Sequence, residues 1–534
     1  MASSKLTFVP MNVLAQALRR SRTALCTLDE FTLGAECRQG KTSNMLTGRM
    51  LSIHLAGRQN IAAKSKKVAQ MADYTADLQA AIASYAPDRQ IITFSPAMLI
   101  LPRDGERGNF ETAVQMSYFF HEWIHYLHNV STVHGMSAYS SFIGLWNAFR
   151  HTTGELGLGQ GRFITSSAEE LKTRAYLDVI WSTRRPADKP LFGEPSVDMC
   201  RIVSCKPAGN FNGIPDYLDV SVEVTNKLGD VVTYPKVIGP TEIVESVAYL
   251  LESHFLVRGF NHPPSSTRVF PYHTLTLLAR HIAPELDDKT VLMCGLASLQ
   301  STFPTDAVIQ FLKVCHEFRK KGEDAIEWLT VETVQQLSLN EPALRAGLKQ
   351  IHDMFPVPGG VERAVKETVA FMEKNLDLRL DNPFFELDFV EHIREAGPGN
   401  FGQLMNRLVL THGICSCRQE RAGFDDEIVR DDLFNFAVAA SDDRLTDARL
   451  AMLASVDFLI SHLQADGSFR ATADLQNRKC PFFSSCREST RRDHATDCAT
   501  QPWKSVHTRP ANPCSYAQGV LHFRPGELKS RPGD

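Results

Sequence analysis

The sequence predicts an α+β fold that is mainly α. Successive amphipathic segments, bordered by Pro, Gly and Asn, fill residues 275–465 and are typical of helices. The segment Gln90–Leu101 is rich in β-branched and large apolar residues and ends at Pro102, which predicts a strand. Leu218–Val237 alternates apolar and polar residues on either side of the turn-like segment Asn226–Asp230, which is a β-hairpin pattern. Helices should therefore dominate, with a small sheet beside them.

Composition sets the class of protein. The chain has 534 residues, enough for about two to four domains, and its 43% hydrophobic and 22% charged residues are ordinary for a globular protein. A net charge of -4 predicts no general attraction to nucleic acid or to an anionic membrane. No stretch approaches the ~18 consecutive apolar residues of a membrane span, and the N-terminus lacks a secretory signal. We therefore expect a cytoplasmic protein.

The first part of the chain leads into the predicted strand. Ile61–Tyr85 has a helical pattern that ends at the turn-like Ala86–Asp88, so residues 1–89 should form a helical lead-in. After the strand, Asn109 is placed to cap a helix that has Glu111 in its first turn. This helix should continue to about Val130.

That helix carries the motif H-E-W-I-H at 121–125. The spacing of four residues places His121 and His125 ~40° apart around the helix and ~6 Å apart along it, so both imidazoles can reach one metal ion. Glu122 then lies beside the ion, where it can act as a general base. Since a motif of this length also arises by chance, the neighbouring elements must support it. An apolar stripe that anchors the helix runs through Met116, Phe120, Trp123, Leu127 and Val130.

A second helix offers a third ligand. It should begin after Gly239-Pro240, with Thr241 as its cap, and continue to about Val257. Its polar stripe consists of Glu242, Glu245, Tyr249 and Glu252. A glutamate from this stripe would complete a His/His/Glu zinc site with an open fourth position for water.

The chain resembles the gluzincin-type zinc metallopeptidases in H-E-W-I-H at 121–125 and in E-S-V-A at 245–248, which is similar to that family's E-x-x-A pattern. The resemblance covers residues 90–260 and implies a zincin-like catalytic core. It makes His121, His125 and Glu245 the zinc ligands and Glu122 the general base. Glu242, one turn away, rivals Glu245 as the third ligand, and the match at Ala248 favours Glu245.

Other polar residues near the motif have open roles. The metzincin pattern would require glycine at 128 and histidine at 131, where this chain has His128 and Ser131. His128 lies ~10 Å along the axis from His121, so we expect it to support the ligands or to face substrate. Tyr249 is a second candidate for such a role. Tyr249, His134 and His254 are also candidate donors to an oxyanion.

Four cysteines cluster near the C-terminus, in residues 471–534, while the other eight are scattered as expected for thiols in a reducing compartment. Cys480, Cys486, Cys498 and Cys514 are separated by 5, 11 and 15 residues, without a CxxC pair. They are candidate ligands for a second, structural Zn²⁺ or for an iron–sulfur cluster, and a disulfide or free thiols are the alternatives. Arg478, Lys479, Arg487, Arg491 and Arg492 give this tail a local basic patch.

These patterns predict a zincin-like core at residues 90–260, an α-helical domain at 261–470 and the cysteine-rich tail. The function that they favour is a zinc metallopeptidase that hydrolyses an intracellular protein or peptide, with one catalytic Zn²⁺ and no membrane partner. Nucleic acid is not expected as its partner, although the basic patch of the tail leaves nucleic acid or an acidic protein as an alternative. The alternative is a catalytically silent zincin-like scaffold, or a sensor, that acts through a regulatory protein partner and the C-terminal cysteines. An active enzyme and a silent scaffold differ in whether the metal cleft is open.

Overall fold

The computed structural model describes residues 83–96, 98, 112–161, 191, 195–207, 216–226, 228–355, 358–413, 415–422, 428–435, 443–464, 468–486, 488–508 and 512–525. This part of the chain is mainly helical with two small sheets, which agrees with the predicted α+β, mainly α class. None of the described helices is both long and apolar enough to cross a membrane.

The helices follow one another through most of the described chain. The first three are α1 (Ala113–Ser131), α2 (Val133–Arg150) and α3 (Pro240–His254), the last continued by a π-helical turn at Phe255–Gly259. The middle of the chain contributes α4 (Thr274–Ile282), α5 (Asp288–Ser298), α6 (Pro304–Lys321), α7 (Ala325–Asp353), α8 (Gly360–Asp381), α9 (Phe385–Ala396) and α10 (Phe401–His412). The C-terminal part contributes α11 (Asp443–His462), α12 (Ser489–Asp493), α13 (Ala495–Thr500) and α14 (Ser515–Leu521).

The strands form two separate sheets. They are β1 (Ala83–Ala86), β2 (Ile91–Phe94), β3 (Cys200–Pro207), β4 (Leu218–Thr225), β5 (Val231–Ile238), β6 (Ser416–Ala422) and β7 (Ile428–Asn435). One sheet has the order β1-β2-β6-β7, in which β2 and β6 are parallel and the other pairs are antiparallel. The other sheet is an antiparallel meander of β3, β4 and β5.

The predicted strand is confirmed in part: β2 covers only Ile91–Phe94 of the predicted Gln90–Leu101 and has already ended at Ser95, while its Ile92 and Phe94 are buried in the core. Other predicted elements differ from the structure. Most of the predicted helix Ile61–Tyr85 lies outside the described residues, but its end belongs to strand β1. Residues 261–470 are not wholly helical, because they contribute β6 and β7. β3 lies in the stretch 151–215, where the sequence pattern is too weak to predict a strand.

The predicted hairpin is confirmed. β4 and β5 pair from Leu218 opposite Ile238 to Thr225 opposite Val231. In the turn, the side-chain oxygen of Asn226 accepts hydrogen bonds from the backbone N–H groups of Leu228 and Asp230, at 2.8 and 2.9 Å. Gly229 has a φ of 90°, a conformation that glycine adopts without steric cost.

Helix α1 lies at the centre of the core. It begins at Ala113 with Thr112 as its cap, later than the Asn109 cap that the sequence indicated; Asn109 and Glu111 lie outside the described residues. All five residues of the predicted apolar stripe are buried, but the remaining faces are mostly buried too. The reason is that α1 packs against α2, α3, α8, α10 and β1.

The C-terminal end of α1 is fixed by α8. The Asn375 amide donates to the Val130 carbonyl at 3.3 Å, and the Arg379 guanidinium donates to the Ser131 carbonyl at 3.0 Å. The last carbonyls of a helix have no N–H partner within the helix, and the side chains of Asn375 and Arg379 provide the missing hydrogen-bond donors. The position of the HExxH helix thus depends on a helix about 250 residues later in the chain.

Helix α3 begins at Pro240, and its cap is Gly239 rather than the predicted Thr241. The Gly239 N–H donates to a carboxylate oxygen of Glu242 at 2.7 Å, which satisfies one of the unpaired N–H groups at the start of the helix. A side chain at Gly239 would place its Cβ 2.6 Å from the Tyr217 ring. Any larger residue at this cap would therefore require the Tyr217 ring to move.

Candidate metal centre

The site forms where α3 packs across α1. The Nε2 atoms of His121 and His125 lie 3.1 Å apart, and each lies 3.4 Å from Oε2 of Glu245. Among the residues that the structure describes, this is the one group of three or more His, Cys, Asp or Glu whose ligand atoms all lie within 4.8 Å of one another. The sequence-predicted ligands are thus brought together by the fold.

The three distances fit one face of a tetrahedral zinc site. Ligand nitrogens and oxygens at ~2.0–2.2 Å from zinc in tetrahedral geometry are separated by ~3.3–3.5 Å. The observed separations of 3.1, 3.4 and 3.4 Å are close to that range. The side chains of the two histidines are 7% and 9% exposed, whereas that of Glu245 is 28% exposed, so the site opens to solvent on the Glu245 side.

Glu252 orients His121. Its Oε2 lies 3.0 Å from Nδ1 of His121, and its Oε1 accepts hydrogen bonds from Ser117 at 3.2 Å and Ser265 at 2.9 Å. A carboxylate on Nδ1 leaves the lone pair of Nε2 directed toward Glu245, which is how metal-binding histidines are commonly held. The sequence placed Glu252 on the polar stripe of α3 but gave it no role. Its spacing of seven residues from Glu245 was the available signal.

Glu242, the rival candidate for the third ligand, has a hydrogen-bond partner at the start of α3. Its carboxylate accepts the N–H of Gly239, and the side chain is almost fully buried at the start of α3. Glu245, one turn later, points to the histidines instead. Helical periodicity alone allowed either glutamate, and the hydrogen bond of Glu242 at the helix cap favours Glu245 as the third ligand.

The carboxyl groups of Glu122, Glu245 and Glu252 lie close to the two histidines and make the site electronegative. Burial raises the pKa of Glu122, and the neighbouring His121 and His125 only partly oppose this. Burial also acts to raise the pKa of Glu245, but the two histidines outweigh it and hold that pKa well below its usual range. Burial disfavours a charge on His121, yet Glu245 and Glu252 raise its pKa overall. A cation is favoured in such surroundings.

Tyr272 borders the site and was missed by the sequence analysis. Its ring centroid lies 6.0 Å from that of His121. Burial, followed by the charges of Glu245, Glu122 and Glu252, raises the pKa of its hydroxyl, so this hydroxyl keeps its proton. The backbone carbonyl of Tyr272 accepts a hydrogen bond from Ser246 of α3 at 2.9 Å. Because this residue lies in an irregular segment, no periodic signal marked it.

The other polar candidates lie away from the three ligand atoms. His128 is buried, and its Nε2 lies 3.2 Å from Oε1 of Glu386, which also binds Arg379. The hydroxyl of Tyr249 donates to the Ser265 carbonyl at 3.1 Å, so it supports the segment that contains Ser265.

The two remaining histidines have other neighbours. His134 interacts with the backbone of Thr302, and burial lowers its pKa to about 4. His254 is half-buried, and its charged neighbours are Arg258 and Asp288. These contacts account for both residues without an oxyanion.

The four C-terminal cysteines form a separate cluster. They line a single cavity of about 540 Å³, and all four are free thiols. The disulfide alternative is thus not realised in this structure. Arg491 of the basic patch stacks on Phe483 beside the cavity, with its guanidinium carbon 3.5 Å from the ring centroid. Arg487, also of that patch, lies outside the described residues.

Comparisons with known proteins identify no relative. No protein-family model matches the chain, and no curated protein or solved structure matches it significantly. The geometry of the site is therefore the basis on which a function can be proposed.

Proposed function

We propose that this chain is a zinc-dependent metallopeptidase, with His121, His125 and Glu245 as zinc ligands and Glu122 as the general base. The observation that carries the proposal is the triangle of ligand atoms, with edges of 3.1, 3.4 and 3.4 Å, on two packed helices. The carboxylate of Glu252 behind His121 adds support, because such a carboxylate is typical of metal-binding histidines.

Zinc held by three protein ligands with an open fourth position supplies a Lewis acid and lowers the pKa of a coordinated water to ~7. The chain's own residues supply the remaining chemistry. Glu122 follows His121 directly, and burial raises the pKa of its carboxyl group, which suits a group that must accept a proton. It takes the proton from the attacking water and delivers it to the leaving amine.

Tyr272 is the candidate for stabilising the charge that develops on the substrate. Its hydroxyl keeps its proton among the carboxylates of the site, so it can donate a hydrogen bond to an oxyanion. The hydrogen bond from Ser246 to the Tyr272 carbonyl fixes this segment against α3, the helix that also carries Glu245. The third ligand and the proposed donor are therefore positioned by the same helix.

The substrate class that we propose is a protein or peptide, hydrolysed at a backbone amide. We place this activity in the reducing interior of the cell, since eight of the twelve cysteines are scattered without a disulfide pattern. A second candidate function is a catalytically silent scaffold. It is favoured by the burial of the two histidines, whose side chains are 7% and 9% exposed.

One experiment separates these functions. The purified chain would be stripped with a chelator, reloaded with zinc and incubated with a peptide library whose products are identified by mass spectrometry. We expect hydrolysis to return at about one zinc per chain and to fall at least ~100-fold in Glu122→Gln, which keeps the ligands but removes the base. A Glu122→Gln variant with full activity would contradict the mechanism. Zinc binding without cleavage of any library member would favour the scaffold.

A further inference from the structure

Four cysteines that are spread over 35 residues converge on one cavity. Cys480, Cys486, Cys498 and Cys514 all line it. Burial is the main cause that raises the pKa of the Cys480 thiol, and the nearby thiols of the other three cysteines raise it further. The chain segments are tied together: the N–H of Cys480 donates to the Cys498 carbonyl at 2.8 Å, and Cys514 stands at the start of α14. The fold thus directs four thiols toward a common centre.

The spacing of the sulfur atoms does not suit a single ion. Four thiolates around one tetrahedral zinc, each at ~2.3 Å, are ~3.8 Å apart. Within the described residues, which include all four of these cysteines, no three of their sulfurs lie within 4.8 Å of one another. A cluster of several irons holds its cysteine sulfurs farther apart, because the thiolates bind different metal atoms.

The volume of the cavity supports the same conclusion. The cavity measures about 540 Å³ and is partly open to solvent, so it has room for a cluster of several irons. Its lining is mixed: the apolar or aromatic side chains of Phe482, Phe483, Pro502 and Tyr516 lie beside polar and charged residues that include Ser505 and Arg491. The balance of apolar and polar groups around an iron–sulfur cluster is one of the means by which proteins set its properties.

Hydrogen-bond donors also lie next to two of the sulfur atoms. The backbone N–H of Phe482 donates to the sulfur of Cys480, and that of Glu488 donates to the sulfur of Cys486, each from two residues later. Arg491 interacts electrostatically with Cys486 and Cys498. Hydrogen bonds to sulfur and a nearby cation both stabilise the negative charge of thiolate ligands and bridging sulfides.

We propose that Cys480, Cys486, Cys498 and Cys514 hold a [4Fe–4S] cluster, with one thiolate on each iron. The cluster would fill the cavity and join the segments around α12, α13 and α14. Because α14 packs against α11, this site is joined to the helical body of the protein. It is separate from the His121–His125–Glu245 site and does not depend on the metallopeptidase proposal.

The test is to reconstitute the full chain without oxygen, using equal amounts of ferrous and ferric iron together with sulfide as the probe, since an oxidised [4Fe–4S]²⁺ core contains two irons of each kind. We expect about four iron and four sulfide per chain, with a broad visible absorption that bleaches on reduction. Cys486→Ser and Cys514→Ser, which change half-buried thiols at the cavity, should each reduce the bound iron and sulfide at least ~10-fold. Cys205→Ser, a half-buried thiol on β3, is the matched control and should bind as the wild type does.

Two results would overturn the proposal. One is iron and sulfide content in the wild type no greater than in Cys486→Ser and Cys514→Ser. The other is a single zinc that is bound by these cysteines, is lost in both variants and prevents cluster assembly. Circular dichroism of each variant before reconstitution verifies that the fold is retained, so that loss of iron reports on the site. The zinc content of Glu245→Gln, measured in parallel, separates the two metal centres.

Discussion

Nδ1 of His121 lies 3.0 Å from a carboxylate oxygen of Glu252, in the interior between α1 and α3. The same carboxylate accepts hydrogen bonds from Ser117 and Ser265, so its position is fixed from three directions. This contact determines which nitrogen of His121 faces Glu245. The affinity of the proposed site for zinc should therefore depend on a residue that does not touch the metal.

Glu252→Ala should lower zinc affinity by roughly 10- to 100-fold, the usual effect of removing a partner of a metal-binding histidine. Glu252→Gln retains an oxygen that can accept the Nδ1 proton, so it should recover part of the loss. Competition with a chromophoric chelator measures both affinities. Unchanged affinity in Glu252→Ala would show that His121 is oriented by other contacts.

Glu245 and Glu242 provide a matched pair on one helix. Glu245→Gln should remove a charged ligand and abolish stoichiometric zinc binding, as measured by metal analysis after gel filtration. Glu242→Gln should bind zinc normally, because its amide oxygen can still accept the N–H of Gly239. The reverse pattern would assign the ligand to Glu242 and reject the geometry described above.

Tyr272→Phe tests the proposed oxyanion donor. Removing one such donor costs ~10²–10³ in kcat in other hydrolases, so we expect a loss of that order with KM and zinc content nearly unchanged. Tyr249→Phe is the control, because its hydroxyl binds the Ser265 carbonyl and should matter less for kcat. Equal effects of the two substitutions on kcat would indicate a structural role for Tyr272.

The buried pair of Arg379 and Glu386 should contribute strongly to stability. Both side chains are fully buried, and Arg379 also donates to Ser131 at the end of α1. Glu386→Gln leaves the guanidinium without its counter-charge and should lower the free energy of unfolding by about 3–5 kcal/mol. The exposed pair of Arg345 and Glu341 is the comparison, and Glu341→Gln should cost less than about 1 kcal/mol. Urea denaturation measures both, and similar costs would refute the role of burial.

Several buried histidines should make the protein sensitive to mild acid. Burial is the main cause that lowers the pKa to about 4 in His134, His412 and His462, and to about 3 in His522. The unfolded chain takes up these protons near pH 6.5, whereas the folded chain does so only near pH 3–4. Stability contributed by the neutral rings is therefore present above pH 6.5 and decreases as the pH falls toward 4.

Each of these histidines contributes at most about 1.4 kcal/mol per pH unit to this loss. The melting temperature should accordingly fall between pH 7 and pH 5 by more than it changes between pH 7 and pH 8. His462→Gln, which can keep hydrogen bonds to the Phe458 carbonyl and the Thr472 hydroxyl, should flatten the curve. A melting temperature that is constant from pH 7 to pH 5 would contradict this account.

The sequence predicted those parts of the candidate site that depend on local spacing. The proximity of His121 and His125 follows from four residues on one helix, and the polar stripe of α3 contained the glutamate that reaches them. Periodicity could not choose between Glu242 and Glu245, because the choice depends on the backbone N–H of Gly239. Tyr272 could not be found, since its place beside His121 comes from the packing of an irregular segment against α3.

The elements of the fold, like those of the site, were predictable where they depend on neighbouring residues and unpredictable where they depend on distant ones. The hairpin of β4 and β5 was predictable because its partners adjoin in sequence and its turn contains Asn226 and Gly229. Strand β6 was missed because its sequence, SCRQERA, is mostly polar and gives no apolar run. Its buried Arg418 and Gln419 are accommodated by hydrogen bonds to distant carbonyls, including that of Phe94. Such partners cannot be inferred from neighbouring residues.

The pairing of β2 with β6 also bears on the order in which the protein can fold during its synthesis. Phe94 and Gln419 are partners in this ladder although 325 residues separate them. Helices α8 and α10, which pack against the HExxH helix, are likewise synthesised long after it. Since a chain folds from what has already emerged from the ribosome, the HExxH helix cannot be buried in its final surroundings until these later elements have been made.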